Sequence, residues 1–205
     1  MTTTTGAPPG PTAWPRDRCP PAPLVLLGEL CLPAGAVPDG ARHVVGDVHA
    51  VATVVTATHR ATALSLLLPR GHGVLVRSTA AWVWTGEASL RPGRVDLALP
   101  PSPPAVPGQR PGPDRVALTV RRTRWGTGSR WTRLAGVAVT DPTTTAAHCA
   151  RLLPAPRARV CVESLVRAAG VDPTEVVRLL RGQDRARAPA PPGTADALAL
   201  LESLG

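Results

Sequence analysis

Tyrosine, phenylalanine and lysine are all missing from this chain of 205 residues. Without Tyr or Phe, a core must be assembled from Leu, Val and Ala, with five Trp as the only large rings. Without Lys, a Walker-type phosphate loop lacks the side chain that reaches the phosphate. A metal-dependent nuclease motif of the Asp and Glu-x-Lys kind lacks its last member too. All 23 strongly basic side chains are therefore Arg, against 14 Asp and Glu, and the net charge is +9. Arg stays charged at any working pH and pairs well with phosphates and carboxylates. A basic surplus favours nucleic acid or an acidic partner. The competing view is a solvated surface whose Arg, Ala, Pro and Gly bias reflects GC-rich coding.

Other absences narrow the class further. The four Cys, at positions 19, 31, 149 and 161, form no C-x-x-C pair, and no His falls at finger spacing. A structural zinc site is not expected, and neither is a cofactor. Cys149 and Cys161 sit on apolar helix faces, where a buried free thiol is the ordinary case. No basic start followed by an apolar run marks a secretory signal, and no apolar run approaches the ~20 residues of a membrane span. The expectation is a soluble, cytoplasmic protein with no membrane partner.

What is present is patterning. Hydrophobic residues make up 43% of the chain, enough for a core, while 25 Pro and 19 Gly point to unstructured segments. The length suits one or two domains. Gly136 to Leu180 is the most legible stretch. Val137 to Val139 reads as a strand. Asp141-Pro142 then starts a helix, with Asp141 as cap and Pro142 in the first turn. A second helix should follow Pro156, with Cys161, Val162, Leu165, Val166 and Ala169 on one stripe and Gly170 as its left-handed stop. Asp172-Pro173-Thr174-Glu175 opens a third helix as an acidic capping box.

In chain order, 1–23 is a Thr/Pro-rich tail expected to be disordered, with Trp14 its only large apolar group. Leu24 to Leu32 is a short apolar run, strand or helix. His43 to Thr56 reads as one bent strand or two short ones broken at Gly46-Asp47. A helix begins near Thr58 and ends before Pro69, carrying Ala61, Leu64, Leu67 and Leu68. Arg70 to Gly73 is a turn, and Val74 to Val76 a strand. Ser78 to Gly86 is a helix, capped by Ser78 and stopped by Gly86. Gly93 to Pro100 and Asp114 to Arg124 alternate as strands that pair across a Pro-rich loop at 101–113. Trp125 to Arg133 is a turn-rich basic segment. After Leu180 the chain turns polar and Pro-rich, and Thr194 to Leu204 closes with a short helix. This is an α+β domain over 24–182, a small sheet with a C-terminal helical array. A Pro-rich linker and short helix occupy 183–205.

Catalytic constellations are not legible. There is no G-x-S-x-G elbow and no G-x-G-x-x-G frame around the GHG at 71–73. Asp96 falls on the outer face of its strand and reads as a surface residue. His43, His49, His59, His72 and His148 are scattered, each with a structural or exposed role. A Cys149–His148 dyad would need spatial rather than sequence adjacency. The chain is not expected to be an enzyme. The best candidates for partner contact are Arg115, Arg121, Arg122, Arg124, Arg130 and Arg133, with Trp125 and Trp131 interleaved. Arg reaches phosphates, and Trp stacks on an exposed base. Alternatively the Trp cover an open edge of the core and the Arg form a solvated face.

One ordered set of motifs resembles a known family. Ser78-Thr79-Ala80-Ala81-Trp82 opens it. The strand Arg94 to Pro100 follows, then the strand Val116 to Arg122, then Leu134-Ala135-Gly136-Val137-Ala138-Val139-Thr140. The Pro-initiated helix Asp141 to Ala147 and a helical tail complete it. Over about 60–182 this is similar to the core domain of AbiEi-family antitoxins of type IV toxin–antitoxin systems, of actinobacterial type. The resemblance implies a non-catalytic protein. It implies repression of its own operon through operator DNA, and counteraction of a nucleotidyltransferase-like toxin without stable binding. The chain departs from the family where an N-terminal winged helix belongs: no helix-turn-helix is legible before residue 57. A degenerate or repurposed antitoxin domain fits that departure. The alternative is a structural or protein-interaction domain with no nucleic-acid role.

Overall fold

The computed structural model describes residues 24–26, 41–45, 48–51, 54–67, 73–87, 94–99, 117–122, 130–185 and 192–204. The expected tail at 1–23 with Trp14, the loop at 101–113 and the turn at 70–72 lie outside these residues. What is described is an α+β arrangement of two sheets and six helices. Among the described residues no helix is long and apolar enough to cross a membrane.

The N-terminal sheet contains β1 (Leu24–Leu26), β2 (Ala41–Val45) and β3 (Val48–Val51), all antiparallel in the order β1-β3-β2. The sequence break at Gly46-Asp47 therefore separates two short strands. Val44, Val48 and Ala50 are buried on one face. The helix α1 (Ala57–Leu67) contacts all three strands of this sheet. It also touches the second sheet, so it lies between the two. Ala61 and Leu64 on its expected stripe are fully buried.

The second sheet has five strands: β4 (Val74–Leu75), β5 (Arg94–Leu99), β6 (Ala117–Arg122), β7 (Trp131–Leu134) and β8 (Val137–Thr140), in the order β6-β5-β4-β8-β7. β5 and β6 do pair, and they run parallel, Arg94 opposite Ala117 through Leu99 opposite Arg122. β4 is antiparallel to β5 and parallel to β8, which puts this two-residue strand at the centre. Trp131 to Arg133, expected within a turn-rich segment, is strand instead. Its backbone finds a partner in β8 across a two-residue turn, and that pairing overrides the polar local composition.

The helix α2 (Arg77–Thr85) links β4 to β5. Gly86 ends it with φ 74° and an N–H bonded to the Trp82 carbonyl, as the glycine stop predicts. Ser78 is not its cap. Val76 holds the cap position, and the Ser78 hydroxyl is buried and turned to a carboxylate described below. At α3 (Pro142–Leu152) the expected cap is present: the Asp141 carboxylate accepts the Thr144 N–H at 2.7 Å. α4 (Ala155–Ala169) begins ahead of Pro156, which sits in the first turn where its missing N–H costs nothing. Gly170 closes it with φ 65°. α5 (Pro173–Arg185) starts with the Asp172 carboxylate accepting the Thr174 N–H at 2.8 Å. It runs past the expected end at Leu180, because Gln183 is buried and continues the helix's inner face. α6 (Thr194–Glu202) packs on α3 and α5 and buries Ala197 and Leu201 in the main core. The core therefore extends beyond residue 182.

α3 is the hub, in contact with α2, α4, α5 and α6. One continuous apolar cluster runs from Val44 and Val48 through Leu64, Leu75, Val95 and Val139 to Leu165, Val176, Leu180 and Leu201. Its described members are aliphatic apart from Trp82 and the thiols of Cys149 and Cys161, with half-buried Trp84 against its margin.

Candidate functional site

The basic segment is divided by the sheet. Arg121 and Arg122 lie at the C-terminal end of β6, in register with Ala98 and Leu99. Arg130, Trp131 and Arg133 lie at or on β7. β6 and β7 are opposite edges of the five-stranded sheet. Four strand spacings separate them, about 19 Å at ~4.8 Å each. Residues close in sequence thus fall on two edges, because β6 and β7 are neighbours in the chain but not in the sheet. Arg115, Arg124 and Trp125 lie outside the described residues.

The β7 edge has a definite build. Ala135 (φ 47°) and Gly136 (φ 82°) form a two-residue turn with both central residues left-handed. That geometry matches the twist of a tight hairpin. The Asp141 N–H bonds the Arg130 carbonyl at 3.1 Å, fixing one end of the ladder. Counting along the antiparallel register, Thr132 and Leu134 direct their backbone groups toward β8. Trp131 and Arg133 direct theirs outward. Their side chains share one face and are both exposed, Trp131 at 43%. The Arg133 guanidinium carbon lies 5.7 Å from the Trp131 ring centroid, in cation–π range, and its Nη1 donates to the Gly136 carbonyl at 3.0 Å. Arg130 is exposed beside them, with its N–H held by the Thr144 hydroxyl at 3.1 Å.

The interior polar groups are of another kind. Arg60 on α1 is buried, and its guanidinium donates to the carbonyls of Val83 (2.7 Å), Val55 (2.7 Å) and Trp84 (3.1 Å). It thereby satisfies carbonyls at the open end of α2. A Cβ on Gly86 would come within 2.9 Å of the same guanidinium, so the glycine also makes room for it. Asp96 is not on an outer surface. β5 is one strand in from the edge, and α2 covers the face that Asp96 shares with buried Ala98. Its carboxylate accepts the Ser78 hydroxyl at 3.2 Å, Ser78 in turn accepts from Arg157 at 3.2 Å, and the Asp96 N–H bonds the Thr79 hydroxyl at 2.9 Å. This chain of contacts ties α2, β5 and α4 together.

His148 and Cys149 on α3 are both buried. Burial, with Arg151 and Arg77 nearby, pushes the His148 imidazole down to about 4. Burial pushes the Cys149 thiol up. These directions oppose a thiolate–imidazolium pair, which would require a raised His and a lowered Cys. Neutral imidazole and protonated thiol are core groups here. Burial also raises the Asp141 carboxyl, partly offset by the hydrogen bonds of its cap. Among the described residues no three His, Cys, Asp or Glu come together as a metal site.

Two of these groups were hidden in the sequence to different degrees. Arg60 stands four residues before Leu64, on the buried stripe of α1, and that placement was a readable sign. The Ser78–Arg157 contact spans 79 residues and had none. No protein-family model matches this chain, and no curated protein or solved structure matches it either.

Proposed function

We propose that this chain acts by binding rather than catalysis, as an antitoxin-like or transcriptional-regulator-like protein of a type IV toxin–antitoxin system. The observation that carries this is the β7 edge, an exposed Trp131 with the Arg133 guanidinium beside its ring and Arg130 next to it. An aromatic face flanked by Arg suits the phosphates and bases of nucleic acid. The element order adds support: a helix, strands, a Pro-initiated helix and a helical tail follow one another as in the family that the sequence resembles. On this proposal the partners are operator DNA and a nucleotidyltransferase-like toxin counteracted without stable binding, in the cytoplasm.

The test is a titration against the upstream DNA of the chain's own operon and a scrambled duplex at two salt concentrations. A regulator prefers the upstream DNA and weakens as salt rises. Replacing Arg130, Trp131 and Arg133 with Ala should weaken binding to both duplexes. A change at Arg121 and Arg122 tests the opposite edge in the same assay, and adding Arg124 extends it to the next Arg in the sequence. If neither triple variant changes binding, both edges are excluded as the contact.

A second function, a protein-interaction domain without nucleic acid, is favoured by the outward backbone groups of Trp131 and Arg133. An extended peptide can add to such an edge as a further strand. No DNA binding at low salt would leave this as the better account.

A further inference from the structure

Two thiols meet across the junction of α3 and α4. The helices are joined by Leu153 and Pro154 alone and pack against each other. Several of their buried residues are small: Ala146, Ala147 and Ala150 on α3, Ala158 on α4. Small side chains at a helix contact let the backbones come close. Cys149 on α3 and Cys161 on α4 are buried in the same apolar cluster, and neither is in a disulfide. They touch directly: the Cys149 thiol donates a hydrogen bond to the Cys161 sulfur.

That contact makes the two thiols unequal. The hydrogen bond from Cys149 holds the Cys161 thiol below the usual cysteine range, against its burial, and Arg157 one turn earlier on α4 adds to the lowering. Burial and the same hydrogen bond keep Cys149 protonated. Cys161 is therefore the readier nucleophile, and Cys149 stands beside it with a proton to give. Cys161 also lies nearer a way in. It is in the second turn of α4, behind half-buried Arg157 and the exposed Ala155 and Pro156 of the first turn. End turns open at the lowest cost, and an oxidant as small as hydrogen peroxide needs only such an opening.

We propose that Cys161 and Cys149 form a reversible oxidation site, at which a peroxide joins α4 to α3 through a disulfide. The Cys161 thiolate attacks one oxygen of hydrogen peroxide. The O–O bond breaks, Cys161 becomes a sulfenic acid, and the departing hydroxide takes up the proton that Cys161 gave, leaving as water. The Cys149 sulfur then attacks the sulfenic sulfur. The S–O bond breaks, and its hydroxide leaves with the Cys149 proton as a second water. Two thiols have lost two electrons in all, and one peroxide has gained them. Sulfurs already in contact reach the ~2.05 Å of a disulfide by side-chain torsion and a small approach of the helices. The bridge pins α4 to the hub helix α3, which touches α2, α5 and α6 as well.

The experiment titrates the full, reduced chain with hydrogen peroxide, alkylates the remaining thiols and maps tryptic peptides without reduction by mass spectrometry. The expected product is peptide 134–151 linked to peptide 160–167, separated again by dithiothreitol. In Cys149→Ser, Cys161 should stop at the sulfenic acid, which dimedone labels. In Cys161→Ser, dimedone labelling of Cys149 should be at least about tenfold lower than that of Cys161 in the first variant. Far-UV circular dichroism checks that each variant folds, and the wild-type map decides the matter without them. Wild-type protein from which both Cys149 and Cys161 are recovered alkylated would overturn the proposal. So would Cys161 driven to sulfinic acid with no linked peptide, or linkage mainly to Cys19 or Cys31.

Discussion

Arg60 and Arg133 are the same side chain put to opposite uses. Arg60 lies between α1 and α2, is 8% exposed and spends its donors on three backbone carbonyls. Arg133 lies on the β7 edge, holds one carbonyl of its own turn and leans over an exposed Trp ring. The difference is topological. The first fills the junction of two helices where backbone acceptors would otherwise be stranded. The second stands where water already serves any acceptor, so its contacts add little to stability and remain available to a partner. The same contrast separates the α2–α3–α4 interior from the β7 edge as a whole.

The sharpest way to break this comparison is Arg60→Ala. It strands three acceptors and should cost about 3–5 kcal/mol of unfolding free energy in urea denaturation. A loss under ~1 kcal/mol would show that water replaces the guanidinium at these carbonyls. Next comes pH. His148 is depressed from 6.5 to about 4, so the unfolded state binds the extra proton. Its contribution is present above pH 6.5 and is lost as pH falls toward 4, up to about 3 kcal/mol. His148→Gln should flatten that slope, and stability measured at pH 7.5, 5.5 and 4.5 reads it directly.

Asp141 carries the opposite sign. Its carboxyl is raised in the fold, so its charge is a liability that grows as pH climbs through and above the usual carboxylate range. Asp141→Asn keeps a capping oxygen without the charge and should be at least as stable as wild type at pH 7. Asp141→Ala loses the cap to Thr144 and should cost about 1 kcal/mol. Equal melting temperatures for the two variants would mean that the cap contributes nothing. The smallest effect belongs to the edge. Trp131→Ala with Arg133→Ala should shift stability by under about 0.5 kcal/mol each. A larger loss would make β7 a structural edge and remove the reason for reading it as a contact surface.

The helices were legible because their signals are local. Asp141-Pro142, Gly86, Gly170 and Asp172-Pro173 each act on backbone groups within a turn of themselves, and each does so in the fold. The paired strands β2 and β3, and β5 with β6, were readable from alternation and β-branched content, though not their orientation. Where local signals misled, a distant partner was responsible. Ser78 looked like a cap but its hydroxyl goes to Asp96, and Asp96 looked exposed but lies under α2. Trp131 to Arg133 looked like a turn until β8 supplied a ladder.

By itself, the sequence determined an aliphatic core without Tyr or Phe, an all-Arg basic balance, and the beginnings and ends of most helices. These follow from composition and from contacts a few residues apart. Tertiary structure alone decided which carbonyls the buried Arg60 serves and which ring Arg133 leans over. It also decided that the basic segment is split across two sheet edges. Those outcomes depend on strand order and register, which arise from contacts far apart in the chain and leave no periodic trace along it.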